Sequence, residues 1–453
     1  MKRLAAIERD CSPACSRAKK PAWQEARTVT KTSSIRIATR AKSLGISRPS
    51  RDPQCAQASS QVGRVAFAVP GDLATPTGGY RYDQRMIQEL RRLGWQVDVL
   101  DLGDGFPFPS AAQRATALLL LSVVPGSCPI VLDGLAFGAL PEAGAIRSRR
   151  PLIALVHQPL ARDAGLDTAQ ADIFRGSERD ALAAAACVVV TSEATGRIMV
   201  ADYSVPSQRL SVVRPGNDPA PPARGSNDAI VRLLSVGPIV PGKGYDLLIT
   251  ALAAIADLPW RLTIAGDRTR NLAAAARLDA DISAYGLGER VAVLGAVSPE
   301  RILELYSASD IFVLASRFEG YGMALAEAIA HGLPVVSTTA GAIPDTIPAG
   351  AGLLVPPNDM AALAQALRRL IGDRAERARL AINARAAAAQ LPTWQDSARL
   401  FTGAIETVRS EIFPELPPIE RLGPCTLNRG ASFMHSVCRG ARLIAARTGA
   451  RCQ

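Results

Sequence analysis

The chain reads as an α/β protein of two doubly wound, parallel-sheet domains facing a cleft. Three observations predict this. Short apolar runs rich in Val, Ile and Leu alternate with stretches of helical spacing from about residue 63 to 412. Pro215, Gly216, Pro219, Pro221, Pro222 and Gly225 interrupt that alternation once, near its middle. The 453 residues are 48% hydrophobic but only 5% aromatic, so aliphatic side chains must fill two cores, as buried parallel strands require.

The first series opens with a strand over 65–69 and a loop over 70–79 that carries Gly71, Pro76, Gly78 and Gly79. A helix follows, with Tyr82, Met86, Leu90 and Leu93 on one face and Gly94 as its stop. Further strands are expected at 95–100, 116–124, 129–132, 152–156, 188–191 and 210–214, with a helix over 169–186. The longest apolar run, 115–124, is too short to span a bilayer and reads as a buried strand. After the linker at 215–228, strands are expected at 231–236, 261–265, 291–294, 311–315, 334–338 and 353–355. A helix over 245–256 shows one apolar face, Leu247, Leu248, Ala251, Leu252 and Ile255, and two Ala-rich helices follow Asp359. The resulting division is a basic tail at 1–61, domains at 62–222 and 223–390, a helix at 391–412 packing back on the first domain, and a basic tail at 413–453.

The net charge of +11 belongs to the ends. Residues 1–61 carry +9 and residues 421–453 carry +6, leaving the body at −4. A nucleic-acid partner would have to use those ends, and solvated, disordered tails are the simpler reading, so none is expected. Six of eight cysteines lie in the tails; Cys128 and Cys187, beside apolar runs, read as buried hydrophobes in a reducing compartment. Met1-Lys2-Arg3 is followed by Ile7-Glu8-Arg9-Asp10 rather than an apolar run, so the expected location is cytoplasmic.

The stretch 312–334 carries the most chemistry. A buried strand runs into a loop holding Glu319, Gly320 and Gly322; a helix starts near Met323, Glu327 lies within it, and Gly332 and Pro334 end it. A helix N-terminus offers free N–H groups and positive potential to a diphosphate. Glycines let that backbone approach a ligand. A carboxylate in the loop can accept bonds from sugar hydroxyls, and one further along the helix can reach a ribose diol.

Glu319 and Glu327, with Gly-Tyr-Gly-Met-Ala-Leu between them, resemble the E-x7-E motif of retaining GT-B glycosyltransferases, family 4 in particular. The resemblance covers roughly 62–412. It includes the segments around Gly237, Lys243-Gly244, Gly266-Asp267, Val293 to Ser298, Gly341 to Asp345 and Gly352 to Pro356. It implies two Rossmann-like domains and transfer of a hexosyl group from a nucleoside-diphosphate sugar to a sugar or lipid-linked acceptor, in glycan, polysaccharide or glycolipid synthesis. By resemblance, Glu327 holds the donor ribose and Glu319 the transferred sugar. Gly322, Met323, Ala324 and Leu325 face the diphosphate and sugar through their backbone. Lys243, after Gly237, pairs with the diphosphate, and Val297 lies near the nucleobase. Gly78 and Gly79 match the loop that closes over the diphosphate, and His157, at the carboxyl end of a strand, matches a His that contacts the transferred sugar or its acceptor.

Two positions depart from the pattern. The family's second cation follows the glycine matching Gly237, where this chain has Pro238; the position before Lys243 is Gly242. Arg317 and Arg268 are candidate replacements. The resemblance implies no metal or other cofactor, since helix dipole and cations replace it. It also leaves room for peripheral membrane contact, because many relatives use lipid-linked acceptors. A GT-B relative with hydrolase, epimerase or phosphorylase activity, or a non-catalytic binding protein favoured by Pro238, are the alternatives.

Overall fold

The computed structural model describes residues 63–147, 150–226 and 228–412. The expectations for the two basic tails lie outside the described residues. Within them, the first sheet comprises β1 (Arg64–Val69), β2 (Gln96–Asp101), β3 (Ile130–Asp133), β4 (Leu152–Val156), β5 (Cys187–Val190) and β6 (Leu210–Val212). The second comprises β7 (Val231–Val236), β8 (Trp260–Ala265), β9 (Val291–Val293), β10 (Ile311–Leu314), β11 (Val335–Thr338) and β12 (Gly352–Val355). Every pairing is parallel. The strand orders are β2-β1-β3-β4-β5-β6 and β12-β11-β10-β7-β8-β9.

Helices connect these strands. In the first domain they are α1 (Gly78–Arg92), α2 (Ala111–Ser122), α3 (Gly134–Phe137), α4 (Thr168–Ala184) and α5 (Glu193–Tyr203). In the second they are α6 (Tyr245–Ala253), α7 (Leu272–Ala284), α8 (Pro299–Ser307), α9 (Met323–Ala330), α10 (Ile343–Thr346), α11 (Met360–Gly372) and α12 (Arg374–Ala388), before a final α13 (Trp394–Ile412). Each sheet is covered on both faces by separate clusters of aliphatic side chains. Cys128 and Cys187 are buried within the first domain's clusters.

The strand expected at 116–124 is a helix, α2. Ser110 accepts from the Gln113 N–H while the Gln113 side chain accepts from the Ser110 N–H, a capping box that starts a helix at Ala111. Leu and Ala favour that conformation, and an unbroken apolar run has no period to separate helix from strand. Ala117 and Leu121, one turn apart, face the core, while Leu119 and Val123 are exposed.

The linker is fastened at both ends. Asn217 N–H donates to the Pro392 carbonyl at 2.8 Å, and Ser397 Oγ donates to the Arg214 carbonyl at 2.7 Å. Arg85 on α1 grips Asp218 with two bonds of 2.8 and 2.7 Å and lies over the Trp394 ring. Ala223 N–H donates to the His331 carbonyl at 2.7 Å. α13 lies on the first domain: Phe401 stacks on Phe67 and Trp394 meets Tyr82 edge-on. No helix among the described residues is long and apolar enough to cross a membrane.

Both sheets reverse strand direction of winding once, at β1/β3 and at β7/β10. Ligands of open α/β sheets bind outside the carboxyl ends of the strands at such points. The loops after β1, β3 and β4 therefore define one wall of a cleft, and those after β7 and β10 the other.

One buried acid away from that cleft yields a stability test. Glu178 on α4 is buried and accepts from the Leu160 N–H at 2.9 Å. Burial pushes its carboxyl from 4.5 up to about 7, against the pull of that N–H. The folded chain thus holds a proton that the unfolded chain releases between those values. The associated stability is complete below about 4.5 and is lost as pH rises through about 7. Glu178→Gln removes this dependence. Its unfolding free energy relative to wild type, from denaturant melts, should climb from pH 5 to pH 8, reaching a difference of roughly 3 kcal/mol at most.

Candidate functional site

β10 ends in Ala315-Ser316, and the loop to α9 is held from beneath. Thr338 Oγ1 donates to the Ser316 carbonyl at 2.7 Å, and Ala342 N–H donates to the Glu319 carbonyl at 2.9 Å. Gly322 caps α9 with φ at +89°, a conformation costly for any residue with a Cβ. Glu319 is buried; its Oε1 accepts from Ser316 Oγ at 2.6 Å and from Lys243 Nζ at 2.5 Å. Lys243 arrives from across the switch point, in the loop after β7, and its side chain lies over Gly237: a Cβ there would sit 3.3 Å from Lys243 Cε.

Glu327, one turn into α9, is bonded on both oxygens. Tyr306 Oη donates to Oε2 at 3.1 Å. Arg81 of α1, from the other domain, donates to Oε1 at 2.5 Å. Burial pushes the Glu327 carboxyl above its usual range, while Arg81 and the Tyr306 hydroxyl pull it back and Asp218 adds to the rise.

The opposite wall centres on His157, directly after β4. Its Nε2 lies 3.0 Å from Asp83 Oδ1 and 3.3 Å from Asp133 Oδ2. Both acids are buried, and Asp83 Oδ2 has no partner. Burial alone would lower the His157 pKa; the Asp83 and Asp133 carboxylates outweigh it and hold the ring well above its ordinary value, so it is an imidazolium at neutral pH. Burial raises Asp83, and His157 pulls it back. One atom from each of these three residues lies within 4.8 Å of the others, so they are the grouping that could take a metal ion among the described residues. The imidazolium proton already supplies the positive charge these acids require.

The two walls touch. Gly79 lies against the His157 ring, and Gly78 faces Met323 Sδ. Gly320 passes so close to His157 that a Cβ would overlap its carbonyl oxygen. Thr195 Oγ1 donates to the Gly320 carbonyl at 3.1 Å, and Asp345 accepts from the Ala194 N–H at 3.0 Å and from Arg197 at 3.2 Å.

Residues 220–387, which contain this loop-and-helix wall, match the family described as glycosyl transferases group 1. The carboxyl-terminal domain belongs to the group 1 glycosyl transferases. The chain is 28% identical over 320 residues to the MMP alpha-(1->4)-mannosyltransferase of Mycolicibacterium hassiacum, covering 65% of this chain and 74% of that one. It is 28% identical over 173 residues to the mannosylfructose-phosphate synthase of Agrobacterium fabrum, 34% of this chain and 38% of that protein. The solved structure of Anabaena HepE in complex with UDP-glucose superposes with a TM-score of 0.60 at 20% identity, over 76% of this chain and 99% of that one. The fold is GT-B, with both Rossmann-like halves present.

The structure brings Gly237, Lys243 and Glu319 together on one lip, and Gly78, Gly79 and His157 on the other, with the backbone of 322–325 between them. Val297 sits in the loop after the edge strand β9, packed partly against the cluster around Tyr306. Neither replacement cation is free. Arg317 is bidentate to Asp246 at 2.8 and 3.0 Å and also bonds the Pro241 carbonyl and Asn358. Arg268 is paired with Asp279. Both brace loops of their own domain.

Arg81, Asp83 and Asp133 are not singled out by the sequence, and Asp345 enters there only as the end of a matched segment. Asp133 had a usable signal: it ends a buried strand and precedes Gly134, the same placement that marks His157. Arg81 and Asp83 follow Gly78-Gly79 within one helical turn, but their partners lie 246 and 74 residues away.

The Gly320–His157 contact sets the width of the cleft. Gly320→Ala should force the lips apart without disturbing either sheet. The expected result is faster proteolysis in the 215–228 linker and a larger radius of gyration by X-ray scattering, with unchanged far-ultraviolet dichroism.

Proposed function

We propose that this chain moves a hexosyl group from a nucleoside-diphosphate sugar to an acceptor hydroxyl, with retention of anomeric configuration, as a family 4 enzyme. One observation carries the reading. The N-terminus of α9, an eight-residue helix, opens into the cleft with Glu319 before it, Glu327 one turn along it, and Lys243 bonded to Glu319. An anion with sugar hydroxyls on both sides fits that array: phosphate oxygens take the free N–H groups and the ammonium, and diols take the carboxylates. The relatives, a mannosyltransferase and a mannosylfructose-phosphate synthase, support the transfer of sugars. UDP-glucose in HepE supports the donor class.

The residues take these roles. Glu327 accepts from the ribose diol and Glu319 from hydroxyls of the transferred sugar. The N–H groups of residues 322–325 and Lys243 stabilise charge that develops on the β-phosphate as the bond from C1 to its oxygen breaks. The sugar passes through an oxocarbenium-like state. The acceptor oxygen bonds to C1 from the face the diphosphate leaves, and the acceptor proton goes to a β-phosphate oxygen. His157, as an imidazolium, donates to a sugar hydroxyl. The lips exclude water while this occurs. No step is assigned to a metal or other cofactor, and the acceptor is a sugar or lipid-linked hydroxyl.

A thermal-shift screen against UDP, GDP, ADP and TDP with their sugars tests the donor class, because a ligand bound only by the folded state raises its melting temperature. One nucleotide series should raise it, and Lys243→Ala should then lower turnover by about 100-fold. Proton NMR of the product should show the donor's anomeric configuration. Silence across all four series would sink the reading.

A further inference from the structure

We propose that Arg81 is the second cation of the diphosphate site, supplied from the first domain because the second domain lacks one. The inference rests on the donor reading above. In the loop after β7, Pro238 follows Gly237 and Gly242 precedes Lys243, so neither position offers a second cation, and Arg317 and Arg268 are bound elsewhere. A pyrophosphate carries more charge than one ammonium balances.

Arg81 is placed to meet that need. It lies in the first turn of α1, three residues after Gly78, which faces Met323 at the first position of α9. Its Nη1 reaches Glu327, one turn further along α9, so the guanidinium already lies over the start of that helix. Its side chain is 51% exposed. Glu327 is the single hydrogen-bond partner of that side chain among the described residues. Arg85, one turn later on α1, is by contrast fixed by Asp218 and Trp394. When a ribose diol takes the Glu327 oxygens, Arg81 loses its partner beside the incoming phosphates. The guanidinium fork matches phosphate oxygens, and its side chain needs only to swing back along α9. The cation thus rests on the carboxylate that the ribose would claim. The donor, once bound, ties the two lips together through its own diphosphate.

The test uses the full chain and isothermal titration with the nucleoside diphosphate identified by the screen and with its nucleoside. Arg81→Ala should weaken the diphosphate about 10- to 100-fold, while the nucleoside binds as well as to wild type or better, because Glu327 is freed. Adding Pro238→Arg to Arg81→Ala should recover diphosphate affinity by returning a cation to the second domain. Equal diphosphate affinity in Arg81→Ala and wild type would overturn the proposal. So would a parallel loss of nucleoside binding, which would make Arg81 a brace for the ribose site. So would the selective loss appearing in Arg270→Ala instead, since that charge also reaches the first-domain lip at Tyr80. Wild type that binds no nucleoside diphosphate at all would sink the donor reading itself, an outcome separate from any difference between variants.

Discussion

Charge balance in a dry cleft is the constraint from which the rest of the site follows. Four carboxylates, Asp83, Asp133, Glu319 and Glu327, are wholly or largely removed from water where the domains meet. An isolated buried carboxylate is costly, so each must have a cation or hydrogen-bond donor. Lys243 serves Glu319, Arg81 serves Glu327, and His157 serves Asp83 and Asp133 together. On the donor reading proposed above, the ligand is anionic in its middle and hydroxyl-rich at its ends, and it would draw the cations to its phosphates and leave its diols for the carboxylates. On that reading the carboxylates exchange a cation for hydroxyl donors, so each keeps hydrogen-bond partners while the cations turn to the phosphates.

The lips can approach closely because glycines stand where they meet. Gly320 packs on the His157 carbonyl and Gly79 on the His157 ring. On the donor side Lys243 is pressed over Gly237 by the turn that leads into α6. A cleft with bulky lips could be closed only by large motions. Here the position of a few main-chain atoms fixes how near Arg81 comes to α9. The fastening of α13 and the linker to the first domain, through Trp394, Arg85 and Asp218, keeps that spacing from drifting.

Much of the fold was legible because parallel strands are buried on both faces and so appear as uninterrupted apolar runs. The strands at 152–156 and 231–236 were read to the residue, and the N-terminus at Met323 followed from the glycines before it. The same rule misread 115–124, where an apolar run has no period of its own and the deciding signal was the Ser110–Gln113 capping box. Within the site, carboxylates of one segment could be linked to each other by spacing. Their cations could not. Arg81 and Glu327 are joined only by the meeting of two domains, and sequence distance carries no information about that. Arg317 looked available from its place beside a strand end, yet Asp246, 71 residues earlier, had already claimed it.

His157 shows how burial of partners decides chemistry. A lone histidine at a strand end is an ordinary candidate for a general base, since its unperturbed pKa lies near neutrality. Two buried acids on one ring nitrogen change that: proton loss would leave both without the positive charge between them. The ring therefore stays an imidazolium through the neutral range and can donate but not accept. A sugar transfer at this cleft then needs another acceptor for the hydroxyl proton. Glu319 is held by Lys243 and Ser316, and Glu327 by Arg81 and Tyr306. On the reading proposed above, that acceptor is a β-phosphate oxygen of the departing diphosphate. The clamp on His157 fits that reaction, because a ring nitrogen held between two buried acids is not free to take the proton.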